Sequence, residues 1–133
     1  MRERIRLLII DENPVVRQAL ATRLSTIPEL DVLESVDPPR DVERTVALKR
    51  PDIVLIEPKR LNGHGLELIQ TLASSPDAPM IIVLTSYRDD TEELVASELG
   101  ISCYMLKDID SQALVDTILA CHRGMNFGSE VGH

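Results

Sequence analysis

Ile5–Ile10 (IRLLII), Ile53–Ile56 (IVLI) and Met80–Leu84 (MIIVL) are short, branched and almost continuously apolar. A strand with one wet face alternates apolar and polar residues. A run without alternation suits a strand buried on both faces, as in a parallel sheet covered by helices. Leu30–Val36 and Ile101–Leu106 are weaker versions of the same pattern. Helical patterns lie between the runs. Val15, Val16, Ala19, Leu20 and Leu24 share one helical face, with Asn13 as cap and Pro14 at the first position. Asp37 with Pro38-Pro39 opens a second helix that presents Val42 and Val46. Leu66, Ile69, Leu72 and Ala73 make a third. Asp90-Thr91-Glu92-Glu93 has capping-box form with Asp90 at the cap, and Gly100 is placed to stop that fourth helix. Asp110 or Ser111 caps a fifth helix, with Leu114, Val115, Ile118 and Leu119 inward, that ends near Gly124. Five strands alternating with five helices predict an α/β fold, a doubly wound parallel sheet with right-handed crossovers.

The 133 residues suit one domain, here 1–124, with 125–133 read as a C-terminal tail or the start of a linker. Without Trp and with few aromatics, the core must come from Ile, Leu, Val and Ala. The net charge of −8 is unevenly spread: residues 1–66 hold 11 basic and 11 acidic side chains, whereas residues 67–133 hold three basic and 11 acidic ones. Such an acidic half argues against nucleic acid or an anionic membrane as its partner. The apolar runs are far shorter than the roughly 20 residues of a membrane helix, and the N-terminus lacks signal-peptide form. Cys103 and Cys121 have no metal-ligand spacing and read as buried, reduced thiols of a cytoplasmic protein.

In doubly wound sheets the functional crevice lies at the carboxyl ends of the strands. The residues that follow the predicted strands are Asp11-Glu12-Asn13, Glu57, Thr85-Ser86 and Lys107-Asp108. Carboxylates in this number are hard oxygen ligands of the kind Mg²⁺ uses. A hydroxyl and an ammonium suit phosphoryl oxygens. Each residue alone is an ordinary turn or surface residue; their joint placement on one rim singles them out.

LLIIDENPVVRQAL, PDIVLIEPKRLNGHGLEL, IIVLTSYRDD and GISCYMLKD, in this order and spacing, resemble the receiver domain of two-component response regulators. The tail ALVDTILACHRGMNFGSEV is similar to the receivers of LuxR-type transcription regulators. The resemblance implies a flavodoxin-like receiver fold with strand order 2-1-3-4-5. It implies that Asp11 and Glu12 are the acidic pair that binds Mg²⁺ together with Glu57. Thr85 matches the hydroxyl that turns toward the phosphoryl group, Lys107 the pocket lysine and Tyr104 a switch aromatic. The implied partners are a sensor histidine kinase or other regulatory protein and a second copy of the chain. DNA is implied only through a C-terminal domain beyond this chain, and a membrane is not.

Position 57 departs from that pattern, because receivers carry a phosphoacceptor Asp there. The extra methylene moves the carboxylate by roughly 1.5 Å, and a misplacement of about 1 Å can cost on the order of 100-fold in rate. The longer side chain is expected to enter the pocket, pair with Lys107 and accept from Thr85. Three readings stand side by side: a degenerate receiver run by protein contacts or a ligand, a Glu57 phosphomimic, and residual phosphorylation or an introduced Asp-to-Glu change. Pro58, Leu61 and Cys103 are smaller departures. Mg²⁺ binding is expected to be weak, since Glu57 has Lys107 as a competing partner.

Other classes fit less well. A Mg²⁺-dependent phosphohydrolase of similar fold typically carries an Asp-x-Asp pair, and Asp11-Glu12-Asn13 lacks the second Asp. A flavin or nucleotide binder needs a Gly- or Thr-rich phosphate loop after the first strand. The acids of the second half map to the fourth and fifth helices and their approaches. That places them on the side expected to report the pocket's state, and it predicts a basic or neutral partner.

Overall fold

The structure, a computed structural model, describes residues 4–33, 42–59, 64–101 and 103–124. The elements alternate as β1 (Ile5–Ile10), α1 (Pro14–Leu24), β2 (Leu30–Val32), α2 (Val42–Lys49), β3 (Ile53–Ile56), α3 (Gly65–Ala73), β4 (Met80–Thr85), α4 (Asp90–Glu98), β5 (Cys103–Leu106) and α5 (Ser111–His122). All neighbouring strands pair in parallel, in the order β2-β1-β3-β4-β5. The predicted fold class and strand order are those observed. Asp37, Pro38, Pro39, Leu61 and the 125–133 tail lie outside the described residues.

The continuous apolar runs are the inner strands, buried along nearly their whole length. Alternate residues feed two cores. Leu7, Ile9, Leu55, Ile82 and Leu84 face Leu20, Leu114 and Ile118 on one side. Leu8, Ile10, Val54, Ile56 and Val83 face Val42, Ile69 and Leu72 on the other. Cys103 and Cys121 are buried thiols in the first of these cores, with sulfurs 2.9 Å apart. Among the described residues, no helix is long and apolar enough to cross a membrane.

Two local features position the rim. Asn13 caps α1, its side chain accepting from the N–H groups of Val15 and Val16, which holds the turn after β1. Gly65 opens α3 against the loop that leaves β3: a Cβ there would stand 1.8 Å from the carbonyl oxygen of Pro58. Glycine is required by this close approach.

The cap of α4 differs from the expectation. It is Asp89, not Asp90, whose carboxylate accepts from the Glu92 N–H at 3.0 Å. The spacing from Asp89 to Glu92 is that of a capping box, but Glu92 does not close it. Its carboxylate is drawn inward by Lys59, and the hydroxyl of Tyr104 takes the Asp89 N–H instead, at 3.2 Å.

Candidate functional site

The sheet register brings the predicted residues together. Ile10 is level with Ile56, so Asp11 and Glu57 leave adjacent strands side by side. Thr85 is level with Leu106, so Ser86 and Lys107 do the same one strand further on. Two backbone bonds carry the pairing past the strands: Glu57 N to Ile10 O at 3.0 Å, and Lys107 N to Thr85 O at 2.8 Å.

Lys107 joins the acids. Its Nζ donates to Asp11 Oδ2 at 2.5 Å and lies 3.2 Å from Glu57 Oε1. Asp11 and Glu57 are both about 5% exposed, so neither carboxylate would remain charged cheaply without such a partner. Asp11 is also held locally, its Oδ1 accepting from the Asn13 N–H at 2.8 Å. Glu57 reaches forward to the end of β4. Its Oε1 accepts from the Ser86 N–H at 2.8 Å and from the Ser86 hydroxyl at 3.1 Å, and its Oε2 accepts from the Lys59 N–H at 3.3 Å. Burial pushes the Glu57 carboxyl up. The Thr85 hydroxyl nearby, the Ser86 amide, the Lys107 ammonium and the Lys59 amide outweigh it, so the group sits below its ordinary value of 4.5.

Glu12 is exposed and stands apart from this pair. Among the described residues no three carboxylate, histidine or cysteine side chains are gathered as a metal would need. The acids have the chemistry of a Mg²⁺ site, but Lys107 holds Asp11 and Glu57 in the position a cation would take. The residues as arranged therefore do not form a ready Mg²⁺ site.

Thr85 is fully buried, and its hydroxyl, beside Glu57, is also engaged by Lys59 and Tyr87. The Lys59 ammonium donates to Thr85 Oγ1 at 2.6 Å, to Tyr87 O at 2.9 Å and to Glu92 Oε1 at 2.7 Å. Those are all the protons an ammonium has. The Thr85 hydroxyl in turn faces Tyr87 O at 3.3 Å. Lys59 also lies over the Tyr87 ring, 4.4 Å from its centre. Lys59 and Glu92 form a largely buried ion pair, with side chains 11% and 10% exposed. Tyr104 completes the group by donating its hydroxyl to Glu92 Oε1 at 2.9 Å. Burial, and then the bond to Glu92, push the Tyr104 phenol well above its ordinary value of 10.0.

Sequence reasoning located Asp11, Glu57, Thr85 and Lys107 on one rim, and placed Tyr104 beside it. It named Ser86 on that rim without giving it a partner, and it missed Lys59 and Glu92 as members of the site. Ser86 donates mainly through its backbone, which no side-chain pattern announces. A loop lysine and a helical glutamate ordinarily read as solvated charges. The one available signal was the pair of cations, Lys59-Arg60, just beyond Glu57. The acidic side of α4 and α5 is also smaller than expected. Asp90, Glu98, Asp108, Asp110 and Asp116 are exposed, whereas Glu92 is turned inward and Glu93 pairs with Arg88 at 2.6 Å.

Comparison with known proteins gives the family from sequence and the fold from shape. The family model for the response regulator receiver domain matches residues 7–119. The transcriptional regulatory protein LiaR of Bacillus subtilis is 33% identical over 121 residues, covering 90% of this chain and 57% of LiaR. The DNA-binding transcriptional activator DevR/DosR of Mycobacterium tuberculosis is 31% identical over 114 residues, covering 86% of this chain and 52% of its own length. The chain thus spans about half the length of these curated relatives. The signal receiver domain of NarL from Mycobacterium tuberculosis superposes with a TM-score of 0.83 at 19% identity, covering 92% of this chain and 99% of that one.

Proposed function

The chain belongs to the response regulator receiver domain family of two-component systems, and on that premise we propose that it is the regulatory module of a transcriptional response regulator in which Glu57 is a resident anion at the phosphoacceptor position. The observation that carries this reading is the filled cradle. The Ser86 amide, the Lys59 amide and the Lys107 ammonium already surround a carboxylate. These are donors of the kind that would otherwise receive a phosphoryl oxygen. Glu57 supplies about one negative charge where a phosphoryl group brings about −1.5 to −2, and Thr85 is engaged by Lys59. The mimicry is therefore partial, and the module works through protein contacts more than through phosphotransfer.

The partners of this reading are a sensor histidine kinase or another regulatory protein, a second copy of the chain, and DNA through a C-terminal domain beyond these residues, in keeping with a relative named as a DNA-binding transcriptional activator. The exposed acids of α4 and α5 favour a basic or neutral protein surface, with binding weakened by salt. A cytoplasmic place and a non-enzymatic role accompany the reading. Mg²⁺ would have to displace Lys107 from Asp11 and Glu57, which supports weak binding at most. The test is to incubate the protein with Mg²⁺ and acetyl phosphate or phosphoramidate and weigh it intact. The expected spectrum is unchanged. A stable adduct of about +80 Da, lost in Glu57→Gln, would overturn the reading.

A further inference from the structure

Glu92 stands between two sets of partners. In the arrangement observed it takes Lys59 Nζ at 2.7 Å and the Tyr104 hydroxyl at 2.9 Å. Three residues before it, Asp89 caps α4 by accepting from the Glu92 N–H. A glutamate at this spacing ordinarily reaches back to the N–H of the capping residue. That N–H is taken by Tyr104 at 3.2 Å. The Tyr104 hydroxyl thus fills the bond that Glu92 would make, and is itself held by Glu92.

We propose that Glu92 is a two-position regulatory residue set by Lys59. With Lys59 on Glu92, Tyr104 is drawn onto the first turn of α4. With Lys59 withdrawn, Glu92 closes the capping box on the Asp89 N–H and Tyr104 is released. The three acceptors of Lys59 lie on the strand-end rim and α4, so any anionic group that draws the ammonium toward the pocket changes the face that α4 and Tyr104 present. This deepens the receiver reading above, on which it rests for the role of that face, by naming the regulation of the same site. A switch of this kind needs two arrangements close in energy, with one charge contact that favours one of them. Both arrangements keep the cap N–H satisfied, which is what brings them close. Burial makes the charge contact decisive, because a carboxylate that loses its partner inside the protein has a strong drive to find another donor.

The chain has only two tyrosines, Tyr87 and Tyr104, and no tryptophan, so tyrosine-labelled NMR of the intact chain reads the device directly. Lys59→Met should move the Tyr104 ring signals toward those of a solvated tyrosine. The Asp89 amide should stay protected from hydrogen exchange, because Glu92 now takes it. Adding Glu92→Ala to Lys59→Met should then speed exchange at Asp89 on the order of ten-fold. Glu92→Gln removes the charge that holds Lys59, leaves that ammonium its two other acceptors Thr85 and Tyr87 O, and can still close a capping box, so it should reproduce the Lys59→Met pattern even if that variant folds poorly. Unchanged Tyr104 signals in both single variants would overturn the proposal. So would an Asp89 amide exposed as fully by Lys59→Met as by the double change. A phosphoryl adduct on the wild-type protein would count against the resident-anion reading, whereas the Lys59→Met and Glu92→Gln signals, recorded without phosphodonor, test this switch separately.

Discussion

The backbone N–H of Ser86 donates to Oε1 of Glu57 at 2.8 Å. This bond shows where the extra methylene of a glutamate has taken its charge: away from the end of β3 and onto the end of β4. Lys107 follows it, at 3.2 Å, while keeping Asp11. The carboxyl ends of β1, β3, β4 and β5 are thereby tied through two carboxylates, Asp11 and Glu57, and one ammonium.

Stability should depend on pH through Glu57. Its carboxyl sits below 4.5 in the folded protein. A group whose folded value is depressed stabilises the fold above its unfolded value, and that contribution is lost as pH falls through the folded value. Glu57→Gln should therefore cost about 1–3 kcal/mol at neutral pH. The gap to wild type should close as pH drops below 4.5. Urea unfolding of both proteins from pH 7 down to about pH 3 measures it; a gap that widens in acid would contradict the sign.

Lys107→Met should leave two buried carboxylates facing each other without their cation. A loss of about 3 kcal/mol is expected, read as a lower urea midpoint. The same change removes the competitor for a divalent cation. Calorimetric titration with MgCl₂ should show tighter binding in Lys107→Met than in wild type, by roughly ten-fold. Equal affinities would mean that Lys107 does not guard the acids.

Tyr104→Phe should cost about 1 kcal/mol, because Glu92 keeps Lys59 while the Asp89 N–H loses its acceptor. The difference in alkaline absorbance titration between wild type and Tyr104→Phe isolates the Tyr104 phenol. Its midpoint should lie above the ordinary 10.0. A midpoint at or below that value would remove the hydroxyl from the Glu92 contact.

Gly65→Ala should be disproportionately costly for one added methyl, because Gly65 is buried against the loop that leaves β3. The added methyl would meet backbone, the Pro58 carbonyl oxygen at 1.8 Å, so the β3–α3 connection must shift. About 2–4 kcal/mol is expected, with Glu57 and Lys59 amide signals moving in the NMR spectrum. A neutral substitution would mean that the loop relaxes freely.

The sequence by itself determined the sheet. IRLLII, IVLI and MIIVL have no polar alternation, and only a parallel sheet covered on both faces buries them fully. Parallel strands joined by helices put all their carboxyl ends on one edge, so Asp11, Glu57, Thr85 and Lys107 were legible as one group before any coordinate. The cap at Asn13 was legible for a similar local reason, since its bonds reach only two and three residues ahead.

Only the tertiary structure decided how the charges on that edge pair. Lys59 lies 26 residues from Thr85 and 33 from Glu92, and no local pattern distinguishes a lysine that turns inward from one left in water. The choice rests on whether burial can be matched by enough acceptors, and the fold supplies three for one ammonium. The same competition leaves the Asp89–Glu92 capping box of α4 unclosed. The capping-box spacing was present in the chain, but the glutamate that would have closed it is held by a cation from another part of the sheet edge.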